Sequence, residues 1–316
     1  MLTYRVAGIS LTVADPLPEL REATGDVDRP WTVASAPDLG LDGPLETLAD
    51  VLDADGAVFC RQAAGAAGTY LLRYPGLLDF AIDPATRSVR MVADDLAETT
   101  RRHLIIDQLV PHLVALDGGL VLHSSAVGHR GRALAFLGVT GAGKSSLAAA
   151  HVEQGAQLLA DDYLLLDRAD GQYLATPAYP GLRLWGDSAQ RFGGDVNGLG
   201  RVAHYTEKRR LPVDQEPPPT LPLGAIVVLG RRPTPDEPAC RVGRIGGRDA
   251  YMVVYQQVFR MERAGRARQR AEMDRIAALV EAVPVLLIEH RRDYDVLPEV
   301  LTGLDEALVS VGFPAG

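Results

Sequence analysis

Lysine is nearly missing from this chain: of its 32 basic residues, only Lys144 and Lys208 are lysines and the other 30 are arginines. A compact ammonium and a planar guanidinium are not interchangeable at a phosphate, so both lysines become candidates for a role that their type demands. Cysteine is equally scarce. Cys60 and Cys240 stand far apart and without metal-ligand spacing, which argues against disulfide staples and a cysteine-based zinc site. Positive charge is in deficit, with a formal net charge of -9; general nucleic-acid binding needs a basic surface to neutralise phosphates, so no nucleic-acid partner is expected. No stretch approaches the ~18 uninterrupted apolar residues of a membrane span. The start, Met1-Leu2-Thr3-Tyr4-Arg5, lacks the basic and apolar regions of a signal peptide. The expectation is a cytoplasmic protein with no membrane partner.

What is present is globular composition, 47% hydrophobic and 23% charged over 316 residues, and a length that favours two domains. Residues 1–95 alternate short strand-like runs with turn signals such as Pro16, Pro18, Gly40 and Pro75-Gly76, which reads as a β-rich unit. Within it, residues 68–74, 80–82 and 88–92 read as strands of an antiparallel meander. Leu96, Leu104, Ile105, Leu109, Leu113 and Leu116 then give a loose helical stripe, a bridging helix over 96–117 that Pro111 should kink or end. From residue 118 to 316 the pattern becomes α/β. Apolar runs at 120–123, 133–137, 157–160, 163–166, 225–229 and 285–288 predict strands, and residues 144–153 predict a helix stopped by Gly155. Tyr251 to Arg263 and Ala267 to Val283 read as helices broken near Gly265. The polar stretch 193–221, carrying Pro217-Pro218-Pro219, reads as a mobile loop.

The sharpest signal is Gly138-Val139-Thr140-Gly141-Ala142-Gly143-Lys144-Ser145, which satisfies G-x-x-x-x-G-K-[ST] between a predicted strand and a predicted helix. Three glycines let the backbone curl so that successive N–H groups face phosphate oxygens, and the helix N-terminus adds partial positive charge. Residues 138 and 140–146, Ser146 included, are therefore candidate nucleotide contacts. Lys144 supplies a cation for the β- and γ-phosphates and Ser145 a hydroxyl ligand for magnesium, which implies ATP and Mg2+ as cofactors. Asp161 and Asp162 follow between two apolar runs, where carboxylates can reach a metal or accept a proton from an attacking hydroxyl. His123, at the end of an apolar run, has a useful near-neutral pKa but no placed partner.

Taken together, Leu122-His123-Ser124-Ser125-Ala126-Val127, the phosphate loop and the run Gly155 to Asp162 resemble the catalytic domain of HPr kinase/phosphorylase, over roughly residues 118 to 168. The resemblance implies a P-loop embedded in a sheet like that of ATP-dependent phosphoenolpyruvate carboxykinase, beside a smaller β-rich domain, and a serine hydroxyl of a protein as acceptor. By that likeness Asp161 is the base, Asp162 lies near the metal with Ser145, and His123 supports the pair; the two aspartates could exchange roles. The family's Glu-x-Arg-Gly segment has here only Gly181-Leu182-Arg183-Leu184-Trp185, which keeps the arginine and lacks the glutamate, so a second metal contact and the reverse phosphorylase activity are not implied. That segment, with Tyr205-Thr206-Glu207-Lys208-Arg209-Arg210, is similar to the HPr-kinase-related enzymes of lasso-peptide gene clusters, which phosphorylate the C-terminal serine of a precursor peptide. Arg183 would then clamp a phosphate or acceptor carboxylate, and Lys208 would sit in a loop that closes over nucleotide. The family includes hexamers, which admits a homo-oligomer. Two rival classes remain open: a kinase of a free amino acid or sugar, and a nucleotide-sensing module that transfers nothing.

Overall fold

The computed structural model describes residues 1–316 except 26, 54, 94, 180, 217, 262–265 and 316. The chain is mixed α/β and separates into two units, Met1–Gly119 with Arg260–Gln269, and Leu120–Phe259 with Arg270–Gly316.

The first unit is built on one sheet: β1 (Leu2–Val6), β2 (Ile9–Val13), β3 (Trp31–Ser35), β4 (Glu46–Leu52), β5 (Val58–Ala64), β6 (Tyr70–Tyr74), β7 (Leu78–Asp83) and β8 (Ser88–Ala93). Alternation drives it: in β2, Ile9, Leu11 and Val13 are buried and Ser10 and Thr12 are not, the period-two pattern of a strand with one face in a core. The order is β1-β2-β3-β8-β7-β6-β5-β4. Strands β6 to β8 form the expected antiparallel meander, which β5 and β4 extend, whereas β3 runs parallel to both β2 and β8, which makes the sheet mixed.

A helical path follows: α1 (Glu98–His103), a π-helical segment at Leu104–Leu109, and α2 (Val110–Leu116). It does not end at Pro111. The Val110 N–H reaches back to Ile105 O across a wider turn, and Pro111 falls in the first turn of α2, a position where proline is tolerated. Gln62 Nε2 and His112 Nε2 meet at 3.1 Å, tying α2 to β5.

The second unit holds β9 (Leu120–Leu122), β10 (Ser125–His129), β11 (Arg132–Leu137), α3 (Lys144–Glu153), β12 (Gln157–Ala160), β13 (Leu164–Ala169), β14 (Gln172–Thr176), β15 (Gly181–Leu184), α4 (Gly186–Gly193), β16 (Arg209–Pro212), β17 (Leu221–Leu229), β18 (Cys240–Ile245), α5 (Gly247–Tyr255), α6 (Arg266–Ala282), β19 (Val285–His290) and α7 (Leu297–Ser310). The sheet order is β12-β10-β11-β17-β14-β13-β9, with β19 also on β17 and β18 on β19. Strand β17 forks this sheet. It runs parallel to β11 and β19, while its first two residues pair antiparallel with β14. Apolar residues on the two faces of β11 enter separate core clusters, Leu134 and Phe136 in one, Ala133, Ala135 and Leu137 in the other.

Two expectations change here. The helix read over 251–263 ends at Tyr255, because Val258 pairs with Leu122 and the Phe259 N–H bonds Val121 O at 2.8 Å: the edge of β9 recruits that backbone. The break near Gly265 lies outside the described residues. The stretch read as a loop over 193–221 contains β16, paired antiparallel with β15, and the Gln215 side chain bonds both the N–H and the carbonyl of Leu158.

Candidate functional site

Strand directions gather the site. Because β11, β17 and β19 are mutually parallel, their C-terminal ends share one sheet edge, the edge at which open α/β sheets bind ligands. Strand β10 is antiparallel to both β11 and β12, so Ser125 at its start and Asp161 just past β12 reach the same edge. Leu122 pairs with Leu164, which sets His123 close to Asp162.

The loop after β11 carries the G-x-x-x-x-G-K-S run. Gly138, Gly141 and Gly143 all have positive φ. At Gly138 (φ +152°) a Cβ would lie 3.1 Å from Ala142 Cβ and 3.2 Å from Leu229 O, so both conformation and crowding require glycine. The buried Lys144 Nζ donates to Gly138 O at 2.8 Å and Val139 O at 3.4 Å. Burial holds its pKa down at about 8, with Asp162 and Asp161 opposing and Lys208 assisting.

Asp161 is 1% exposed. Its Oδ1 accepts from Ser125 Oγ at 2.5 Å and Ser145 Oγ at 2.8 Å, its Oδ2 accepts from the Arg183 N–H at 2.7 Å, and its carbonyl accepts from Arg183 Nη1 at 2.8 Å. Burial and then the neighbouring Asp162 charge push its pKa up, against Arg183, Ser125 and that backbone N–H. Asp162 has φ +81°, a conformation a non-glycine residue holds only when its surroundings insist. Its Oδ2 stands 3.0 Å from Arg183 Nε. Arg183 is 1% exposed and lies over the Tyr179 ring at 4.5 Å, so it is a buried residue and not a solvent-facing one. His123 is half-buried; burial and then the Lys144 ammonium bring its pKa down to about 4, which leaves a neutral imidazole at pH 7.

These groups open on a cavity of about 380 Å³ whose wall includes His123, Thr140, Gly141, Gly143, Lys144, Ser145, Ser146, Asp162, Arg183 and Lys208. Gly138, Ala142 and Asp161 stand behind it; the Ala142 side chain packs into the core. Lys208 Nζ lies over the exposed Trp185 ring at 5.6 Å. The wall also includes Asp187, Ser188, His290, Arg292, Asp293 and Tyr294, which motif reading does not single out. Their signal is purely tertiary: Asp187 and Ser188 come with α4, while His290 ends β19 and Arg292, Asp293 and Tyr294 follow it, arriving through strand order. Ser125 was within reach of sequence reasoning, as part of the His123-Ser124-Ser125 run.

The donor chemistry fits magnesium with a polyphosphate. The Ser145 hydroxyl on the wall is a hard oxygen donor, with the buried Asp161 carboxylate bonded behind it and the Asp162 carboxylate beside it. Among the described residues no three His, Cys, Asp or Glu side chains form a ready-made cage, and magnesium is usually held by one or two carboxylates plus substrate phosphates. No helix among the described residues is long and apolar enough to cross a membrane.

No family model matches the chain, and no curated protein matches it in sequence. Among solved structures, it is similar to the HPr(Ser) kinase/phosphatase from Coxiella burnetii over 60% of this chain and 97% of that one, at 13% identity and a TM-score of 0.31. A likeness that loose assigns neither family nor activity, and the functional reading rests on the geometry of the cavity.

Proposed function

We propose that this protein is an ATP- and magnesium-dependent kinase with an HPr-kinase-like catalytic domain, which transfers the γ-phosphate to a serine hydroxyl of a peptide. One observation carries the reading: the serine that follows Lys144 is bonded to one carboxylate of an adjacent pair, while the other carboxylate faces the cavity. A phosphate-binding loop alone serves sensors as well as enzymes; a second acid beside it supplies what transfer to an alcohol needs.

The chain's own groups divide the work. The loop and Lys144 hold phosphates, and Asp161 orients the Ser145 hydroxyl. Magnesium, when bound, would neutralise charge on the β- and γ-phosphates. Asp162 takes the proton as the acceptor oxygen forms its bond to phosphorus, the bond to the β-phosphate oxygen breaks, and ADP leaves. This exchanges the roles that resemblance suggests, because Asp161 is buried behind the wall with its oxygens already engaged. Neutral His123 and Arg183 hold Asp162 in its strained conformation. The acceptor we favour is the C-terminal serine of a lasso-type precursor peptide, on the strength of the segments around Arg183 and Lys208.

The test is transfer from γ-labelled ATP to a peptide ending in serine, set against a panel of free amino acids and sugars. The expected result is label on the seryl oxygen with the parent protein and none with Lys144→Ala. Label on a metabolite moves the reading to a small-molecule kinase. Nucleotide-dependent change of shape with no phosphorylated product moves it to a sensor.

A further inference from the structure

The cavity has two chemically different ends. Lys144, Asp162, Arg183 and His123 lie at one. At the other, a chain of hydroxyls runs outward from the phosphate loop: Ser146 Oγ to Ser188 Oγ at 2.9 Å, Ser188 Oγ to the Tyr294 hydroxyl at 2.8 Å, and that hydroxyl to Asp187 Oδ2 at 3.2 Å. Ser145 and Ser146 are successive residues of α3, about 100° apart around its axis. One points to Asp161 and the other to Ser188, so the two ends flank the first turn of the helix. A triphosphate whose γ end meets Lys144 and Asp162 would run past Ser146 toward this second end.

We propose that this second end is a ribonucleoside subsite, in which Asp187 accepts hydrogen bonds from the ribose hydroxyls and Arg292 lies along the base. Asp187 is an acceptor-only group in the first turn of α4, where the helix dipole favours its negative charge. A pair of vicinal hydroxyls is the donor set a carboxylate recognises in other nucleotide sites. Tyr294 is a positioning residue: its hydroxyl orients Asp187, and its ring is braced edge-on against Phe192 at 6.0 Å. The Arg292 guanidinium is anchored through Nη1 to Gly141 O at 2.7 Å, and an arginine plane stacks readily on an aromatic base.

The inference rests on the reading that the loop holds a nucleoside triphosphate. Calorimetry in the presence of Mg2+ separates the two, with ATP, dATP and inorganic tripolyphosphate as probes of the parent protein, Asp187→Asn and Arg292→Ala. The parent should bind ATP more tightly than dATP, and both more tightly than tripolyphosphate. Asp187→Asn should weaken ATP about tenfold, to near the level of dATP, since the amide removes the charge and turns one of two acceptors into a donor, and leave tripolyphosphate unchanged. Arg292→Ala should weaken ATP relative to tripolyphosphate. Equal binding of ATP and dATP by the parent, or an unaltered preference in Asp187→Asn, overturns the subsite and leaves the phosphate loop standing. A parent that binds neither ATP nor tripolyphosphate overturns both.

Discussion

Ser145 Oγ donates to Asp161 Oδ1 across 2.8 Å, and the same carboxylate oxygen takes the Ser125 hydroxyl at 2.5 Å. The residue expected to hold metal is thus tied to a carboxylate 16 positions away that has no surface on the cavity, and the aspartates become separable by experiment. Asp161→Asn should weaken magnesium–ATP binding about tenfold or more, because the amide turns one acceptor into a donor facing other donors. Asp162→Asn should spare binding and lower turnover by roughly 10²–10⁴, the range of a lost general base. Calorimetry and turnover on both variants decide it; the opposite pattern returns Asp161 to the role of base.

Lys144 sets a pH limit. Burial brings its pKa to about 8, and the ammonium is the form that binds a polyanion. Nucleotide affinity should therefore hold below that value and decline as pH rises through it. Lys144→Arg keeps its charge throughout and should bind more weakly at pH 7 but without that decline, as titrations from pH 7 to 9.5 would show.

His151 sets a limit on the acid side. It is 2% exposed, its ring lies 5.3 Å from that of Phe136, and its Nδ1 donates to Leu147 O at 2.8 Å. Burial lowers its pKa from 6.5 to about 4, so the unfolded chain binds more protons than the folded one between those values. Stability is fully present above the unfolded pKa and is lost as pH falls toward 4, by up to about 3 kcal/mol. His123 acts in the same direction. Urea melts at pH 7 and pH 4.5 should differ less in His151→Gln than in the parent.

In the first unit, Trp31 is fully buried and its indole Nε1 donates to Asp117 Oδ2 at 2.9 Å. Arg87 bonds both oxygens of the same carboxylate at 2.5 and 2.8 Å, with its guanidinium over the Trp31 ring at 4.8 Å. Asp117→Ala strands a buried N–H and should cost about 2–3 kcal/mol, and Asp117→Asn about half as much. With only two tryptophans in the chain, denaturation followed by fluorescence in a Trp185→Phe background reads this environment alone.

Local sequence settled what depends on neighbours along the chain. The phosphate loop is contiguous and its glycines answer local backbone needs, so Gly138 to Ser145 was readable, as were β6 to β8 and α3, where short-range periodicity coincides with burial. Pro111 does not end the helix, because it falls just past a π-helical turn, in the first turn of α2. Helix 251–263 shortened because a distant strand edge claimed its backbone, and β16 emerged from polar sequence because β15 supplied a partner. Tertiary structure alone buried Asp161 and left Asp162 on the wall, and it alone brought Arg292 and Tyr294 to the loop through three parallel strands far apart in sequence. Hydrogen bonds and strand order act across space, and a carboxylate's role depends on which neighbours reach it first.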